Sequence, residues 1–244
     1  MEAVCERCGG TGWILESADG KKSARPCGCR ESVLRADRLQ AAGIPERYRE
    51  NTFENFWDNS AHLVDAKRRA REFVDEYPVV PAGLLFLGPA GRGKTHLACA
   101  ILSELVSRKG ARGLYVDFSD LLLKIQTSFR PDAESSKESV LTPYTDAEVL
   151  VLDELGASKP HAWVWDVLYN LLNTRYNRKR LTIATSNFED EPDTAGGERD
   201  RLEDRIGYRV RSRLYEMCEV VTLRGEDFRK KVHNPSFLAR RLSE

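Results

Sequence analysis

Along most of the chain, short continuous apolar runs alternate with longer stretches of helical period. Gly83-Leu84-Leu85-Phe86-Leu87, Gly113-Leu114-Tyr115-Val116-Asp117-Phe118, Glu148-Val149-Leu150-Val151-Leu152-Asp153 and Arg180-Leu181-Thr182-Ile183-Ala184-Thr185-Ser186-Asn187 each have the length and apolar density of a strand buried on both faces. After the first of these, Leu97, Ala98, Ile101, Leu102 and Leu105 recur at the spacing of one helix face. The alternation predicts an α/β fold in three layers, a parallel sheet with helices on both sides. Upstream, Leu63, Val64, Ala66, Ala70, Phe73 and Val74 predict a helix stopped at Tyr77-Pro78. Val33, Leu34 and Leu39 among charged residues predict a short exposed helix over 31–42, ended by Gly43 and Pro45. The Ser-, Pro- and Glu-rich stretch 130–145 reads as a loop. Three parts result: a small module over 1–30, a helical linker over 31–78 and a main domain over 79–244.

Composition narrows this picture only slightly. Apolar residues make up 41% and charged residues 31%, as in an ordinary globular chain. Lys plus Arg and Asp plus Glu are 38 each, so contact with nucleic acid has to use a local patch. The first residues lack a signal-peptide core and no run approaches the ~18 apolar residues of a membrane span, so a cytoplasmic protein without membrane contact is expected.

The cysteines change the picture more. Cys5, Cys8, Cys27 and Cys29 crowd the first 30 residues, whereas Cys99 and Cys218 stand alone in apolar surroundings. Cys5-x-x-Cys8 and Cys27-x-Cys29, with 18 residues between, approach the two-knuckle pattern of a four-cysteine zinc site, the second knuckle being one residue tight. Free or redox-active thiols are the alternative. With all four ligands from protein, such a site would be structural. A segment with two adjacent glycines and little apolar content needs that support to hold a shape.

Gly88-Pro89-Ala90-Gly91-Arg92-Gly93-Lys94-Thr95 satisfies G-x-x-x-x-G-K-[ST] at every fixed position, between a predicted strand and a predicted helix. Glycines let consecutive amides turn inward on phosphates at the positive end of the helix, Lys94 reaches the β and γ phosphates, and the Thr95 hydroxyl is offered to Mg²⁺. A chance match is expected in roughly one chain in a hundred of this length. ATP with Mg²⁺ is therefore the expected ligand. Asp153-Glu154 ends the strand 148–153, on the sheet edge where open α/β folds hold ligands. Asp153 is the candidate for the Mg²⁺ water shell and Glu154 for polarising the attacking water, against the plain reading of an acidic turn. Asn187, closing the next strand, can orient the same water or simply form a turn.

Arg205, Arg209 and Arg213 recur every four residues, so in a continuous helix they form one basic stripe with few acidic partners nearby. One of them is a candidate arginine finger, supplied across a subunit boundary, and a solvated basic face or a DNA-phosphate surface is the alternative.

Taken together these motifs resemble the bacterial replicative helicase loaders of the DnaC/DnaI type, AAA+ ATPases related to IstB transposition helpers. The resemblance rests on Gly43-Ile44-Pro45-Glu46-Arg47-Tyr48 with Thr52-Phe53-Glu54-Asn55-Phe56, on Gly91-Arg92-Gly93-Lys94-Thr95-His96-Leu97-Ala98, on Leu152-Asp153-Glu154-Leu155-Gly156, and on Thr185-Ser186-Asn187. It implies an AAA+ P-loop NTPase core behind a zinc-binding front that docks on the helicase. Nucleotide contacts are implied at Gly88, Pro89, Ala90, Gly91, Arg92, Gly93, Lys94, Thr95 and His96, with Arg229 in the manner of a second sensor. The stretch from Gly207 to Leu214 resembles the family's box VII, which makes Arg213 the implied finger with Arg209 beside it. Partners implied are a hexameric replicative helicase, single-stranded DNA met between Ser119 and Thr145 near Lys124, Arg130 and Lys137, and further copies of the chain in an ATP-dependent oligomer. Two rivals stand beside the loader. One is an IstB-type helper acting on duplex DNA and a transposase, and the other is an adaptor holding ATP as a static clamp.

Overall fold

Five parallel strands in the order β4-β5-β6-β3-β7 carry the protein: β3 (Gly83–Leu87), β4 (Gly113–Asp117), β5 (Val149–Leu155), β6 (Leu181–Ser186) and β7 (Cys218–Thr222). The computed structural model describes residues 5–18, 21–129, 136–158, 161–190 and 200–232. Because successive strand residues point to opposite faces, each strand feeds two cores. Leu84, Phe86, Val149, Val151 and Ile183 meet α2 (Ala61–Glu76) and α3 (Lys94–Arg108) on one side. On the other side Leu85, Leu87, Leu150, Leu152 and Ala184 meet α4 (Phe118–Thr127), α6 (Ala162–Asn177), α7 (Leu202–Ile206) and α8 (Tyr208–Met217). The three-layer architecture expected from the apolar runs is thus present. Ser60 caps α2 by accepting from the Leu63 amide, and Tyr77 leaves the helix in the extended conformation that a following proline favours.

In front of this core lie an antiparallel hairpin, β1 (Trp13–Ala18) and β2 (Lys21–Pro26), and then α1 (Gly28–Ala41). No residue of α1 is buried, but the helix lies along α3, and beyond its end the Ala42 carbonyl accepts from the Tyr115 amide of β4 at 2.7 Å. A short 3-10 helix, Glu46–Tyr48, then leads toward α2.

Several expectations need correction. The hairpin was not predicted, because Trp13 and Leu15 are exposed and their alternation has no packed face behind it. β7 was not predicted either, since Cys218–Thr222 mixes buried and exposed positions at the sheet edge. The stretch read as a loop contains α5 (Lys137–Asp146), capped by Ser136, while Arg130 lies outside the described residues. The arginine stripe is broken. Gly207 has φ +81° and separates α7 from α8, so Arg205 shares no helix with Arg209 and Arg213. A Cβ at Gly207 would also lie 3.2 Å from the Trp165 indole, so chirality and packing both call for glycine there.

Arg175, in the apolar face of α6, is fully buried. Its guanidinium donates to the carbonyls of Tyr144 (2.6 Å), Ala147 (2.9 Å) and Leu181 and to Thr182 Oγ1 (3.0 Å), tying the end of α5 to the start of β6. Burial and the nearby Arg180 charge pull its pKa down to about 9. Arg175→Met strands three carbonyls, each costing ~1–3 kcal/mol, while relieving one buried charge. A net destabilisation of about 2–4 kcal/mol is expected in urea unfolding, and a change under ~0.5 kcal/mol would show that the network contributes nothing.

Candidate functional site

The loop between β3 and α3 owes its shape to its glycines. Gly93 has φ +88°, and a Cβ there would come within 2.5 Å of the Phe56 ring, so only glycine fits. Beyond β7 the chain folds back over this loop: the Leu223 amide donates to the Leu87 carbonyl at 2.8 Å and the Phe228 amide to Gly91 at 3.0 Å. That return places Arg229, on the short helix α9 (Phe228–Val232), in the same cavity as the loop. The cavity measures about 660 Å³ and is lined by Ala90 to His96, Glu154, Thr185, Asn187 and Arg229, with Arg47, Tyr48, Asn51, Asn55 and Phe56 from the linker.

Lys94 is buried and donates to the carbonyls of Gly88 (2.7 Å) and Pro89 (2.8 Å). Arg92 beside it has Nε and Nη1 buried without an acceptor. A polyphosphate would bring oxygens to the orphaned guanidinium and to the helix N-terminus. His96 donates from Nε2 to the Thr52 carbonyl (2.8 Å) and meets Phe56 edge-on, so it braces the linker against the loop, and burial lowers its pKa.

Asp153, only 2% exposed, accepts from Thr95 Oγ1 (3.0 Å) and Thr185 Oγ1 (2.5 Å) on Oδ1 and from the Tyr115 hydroxyl (2.7 Å) on Oδ2. A carboxylate and a threonine hydroxyl in contact at a phosphate loop are a hard-oxygen pair that suits Mg²⁺. The next residue, Glu154, takes φ +58°, a left-handed conformation costly outside glycine, and its amide donates to Thr185 Oγ1 at 3.0 Å. The turn aims its half-buried carboxylate into the cavity, where burial and the Asp153 charge raise its pKa. Asn187 follows β6 on the same rim. Tyr115 and the Thr185 hydroxyl escaped the sequence reading: Thr185 stood in a quoted motif without a role, and Tyr115 looked like one more core position.

Burial holds the Lys94 ammonium down to about 8, with Asp153 and Glu154 pulling the other way. A phosphate in contact with Lys94 would restore the charge. Above pH 8 the free site must therefore take up a proton as it binds, and ATP affinity falls by up to about tenfold per pH unit. Calorimetry at pH 9 in two buffers of different ionisation enthalpy should register that uptake, and equal heats would remove Lys94 from the phosphate contact.

The arginines after β6 differ from expectation in having partners. Arg205 donates to the carbonyls of Gly156 (2.8 Å), Ala157 (3.2 Å) and Ser158 (3.0 Å) and pairs with Asp200, so it braces the segment after β5. Arg213 lies 4.1 Å above the Tyr176 ring and pairs with Glu216 at 2.6 Å, while Arg209 lies 4.1 Å above Tyr169. Of the proposed DNA-contact residues, Lys124 reaches the Tyr144 hydroxyl (3.3 Å) and Lys137 opens α5.

At the other end of the molecule the sulfurs of Cys5, Cys8, Cys27 and Cys29 all lie within 4.8 Å of one another. The Cys5–Cys27 and Cys8–Cys29 pairs are 3.9 and 3.4 Å apart, and the close contact pulls Cys8 down to about 6 while pushing Cys29 up to about 12. Four soft ligands at that separation match a tetrahedral zinc site. Among the described residues no helix is long and apolar enough to cross a membrane.

Comparison with known proteins adds to this geometry. The sequence profile of the IstB-like ATP binding proteins matches residues 30–236. The replicative helicase loader DnaC of Escherichia coli K12 is 29% identical over 167 residues, 68% of this chain and 66% of that relative, so just under two thirds of the relative's length is spanned. A crystal structure of the DnaC helicase loader superposes with a TM-score of 0.64 at 29% identity, covering 74% of this chain and all of that one (100%). A crystal structure of DnaI shares the fold, with a TM-score of 0.60 at 23% identity over 78% of this chain and 99% of that one.

Proposed function

Since the chain belongs to the IstB-like ATP-binding family and has the AAA+ fold, we propose that it is an ATP-hydrolysing loader of a hexameric replicative DNA helicase. The observation that carries this reading is the superposition of 74% of this chain on the whole of the DnaC helicase loader chain, at 29% identity. A four-cysteine front that leads into α1 and precedes the residues matched by the family profile supports a docking module over 1–30 ahead of a linker over 31–78 and an ATPase domain over 79–244.

In this reading the amides and side chains from Gly88 to His96 cradle ATP and Arg229 reaches its phosphates. Thr95 and Asp153 would hold Mg²⁺, which would supply positive charge against the phosphates. Glu154 polarises the attacking water and Asn187 orients it. Arg213, with Arg209 beside it, serves the site of a neighbouring copy, for which it has to leave Glu216 and Tyr176. The helicase is delivered to single-stranded DNA, which the α4–α5 region contacts. Zinc fills the cysteine site and hydrolysis follows assembly.

The test is native mass spectrometry of the full chain with the replicative helicase of the same organism, ATP and Mg²⁺. A defined helicase complex that disappears on deletion of residues 1–30 is expected. The IstB name of the family favours a second reading, a transposition helper on duplex DNA. Absence of any helicase complex together with ATP-dependent assembly on duplex DNA would replace the first reading by the second.

A further inference from the structure

Asp153 is held from three sides, and only two of them belong to recognised motifs. Thr95 comes from the phosphate-loop helix and Thr185 from β6, the strand that Asn187 follows, and both bond the same oxygen, Oδ1. The third donor, the Tyr115 hydroxyl, comes from β4 and takes Oδ2 at 2.7 Å. From this geometry we infer that Tyr115 is a positioning residue for the metal-binding carboxylate, an inference that rests on the nucleotide site proposed above.

With Oδ1 alone bonded, the carboxylate can swing about its Cβ–Cγ bond and carry Oδ2 away from the sheet edge. Tyr115 removes that freedom and fixes which oxygen faces Thr95. The tyrosine is itself immobilised. Its ring packs against the core cluster shared by α2 and α3, and its amide is paired with the Ala42 carbonyl at the end of the linker helix. Register explains why β4 supplies this group: Tyr115 pairs with Val151, two residues before Asp153 on the same face of the adjacent strand. Thr185 adds a second restraint, since its hydroxyl donates to Asp153 while accepting from the Glu154 amide, so the two carboxylates are aligned by one side chain.

The test uses the full chain and Tyr115→Phe, which keeps the ring and its packing and removes only the hydroxyl. A fluorescent ATP analogue is titrated in EDTA and again across a Mg²⁺ series. Affinity in EDTA should stay within about twofold of wild type, and the Mg²⁺ concentration for half-maximal tightening should rise roughly tenfold, the size of one hydrogen bond to a charged group. Tyr77→Phe is the control: its hydroxyl also faces a carboxylate, Glu148 at 3.4 Å, but away from the cavity, and its Mg²⁺ midpoint should not move. An unchanged midpoint in Tyr115→Phe overturns the inference. So does an equal loss of affinity with and without Mg²⁺, which marks a merely structural bond. A wild-type protein that binds no analogue with or without Mg²⁺ instead overturns the nucleotide-site reading beneath it, and one whose binding ignores Mg²⁺ overturns the inference together with the metal assignment to Thr95 and Asp153.

Discussion

Glu154→Gln is expected to bind ATP within about threefold of wild type and to hydrolyse it at least ~100-fold more slowly. The amide substitute keeps the size of the side chain and the backbone bond to Thr185 Oγ1, so the unusual φ of +58° and the shape of the cavity persist. What goes is the basic oxygen. Glu154 is half-buried beside Asp153, a setting that raises its proton affinity and makes it a better base than an exposed glutamate. Lys94, Arg92 and the loop amides, which would hold the phosphates, are untouched. Steady-state phosphate release and equilibrium nucleotide binding, measured on the same preparation, separate the two effects. Turnover equal to wild type would favour the static ATP clamp over the hydrolysing loader.

The second large effect is expected at the cysteines. Purified protein should carry one zinc per chain, and Cys27→Ala should carry almost none and lose helicase docking entirely. Cys27 is the buried member of the cluster, 2% exposed, and removing it leaves three ligands for a tetrahedral ion. Metal binding is of order 10 kcal/mol or more in comparable small modules, so its loss unfolds a segment with no apolar core of its own. The ATPase core should survive. Among the described residues neither core cluster draws on any of the first 30 positions, and nucleotide affinity should match wild type. Metal analysis of the purified protein finding no zinc would sink the structural-zinc reading outright.

What the sequence revealed and what it hid divide along physical lines. The phosphate loop and Asp153-Glu154 were readable because each is a contiguous run whose chemistry needs only its immediate neighbours. The Tyr115–Asp153 bond was not, since it spans 38 positions and exists only once β4 lies beside β5. Arg175 was hidden for another reason: its partners are mostly backbone carbonyls, which no residue type advertises. The arginines were misread because a four-residue spacing was extended through Gly207, where the left-handed turn resets the helical phase. Arg229 could be placed by resemblance alone, and its seat in the cavity depends on the return of residues 223–228 across the phosphate loop.

One feature of the front end has a mechanical meaning. α1 runs 14 residues, about 21 Å, with no residue sunk into the core, and it is fastened at both tips: Cys29 in its first turn belongs to the sulfur cluster, and Ala42 past its last turn is pinned to the edge of the sheet. Between its tips the rod lies against α3, with Leu39 packed on the core. The Ala42 carbonyl is bonded to the backbone of Tyr115, whose hydroxyl in turn donates to Asp153, so a continuous line of contacts joins the cysteine cluster to the carboxylate. A partner bound at the cysteines would thus be one packed helix away from the site where ATP would be split.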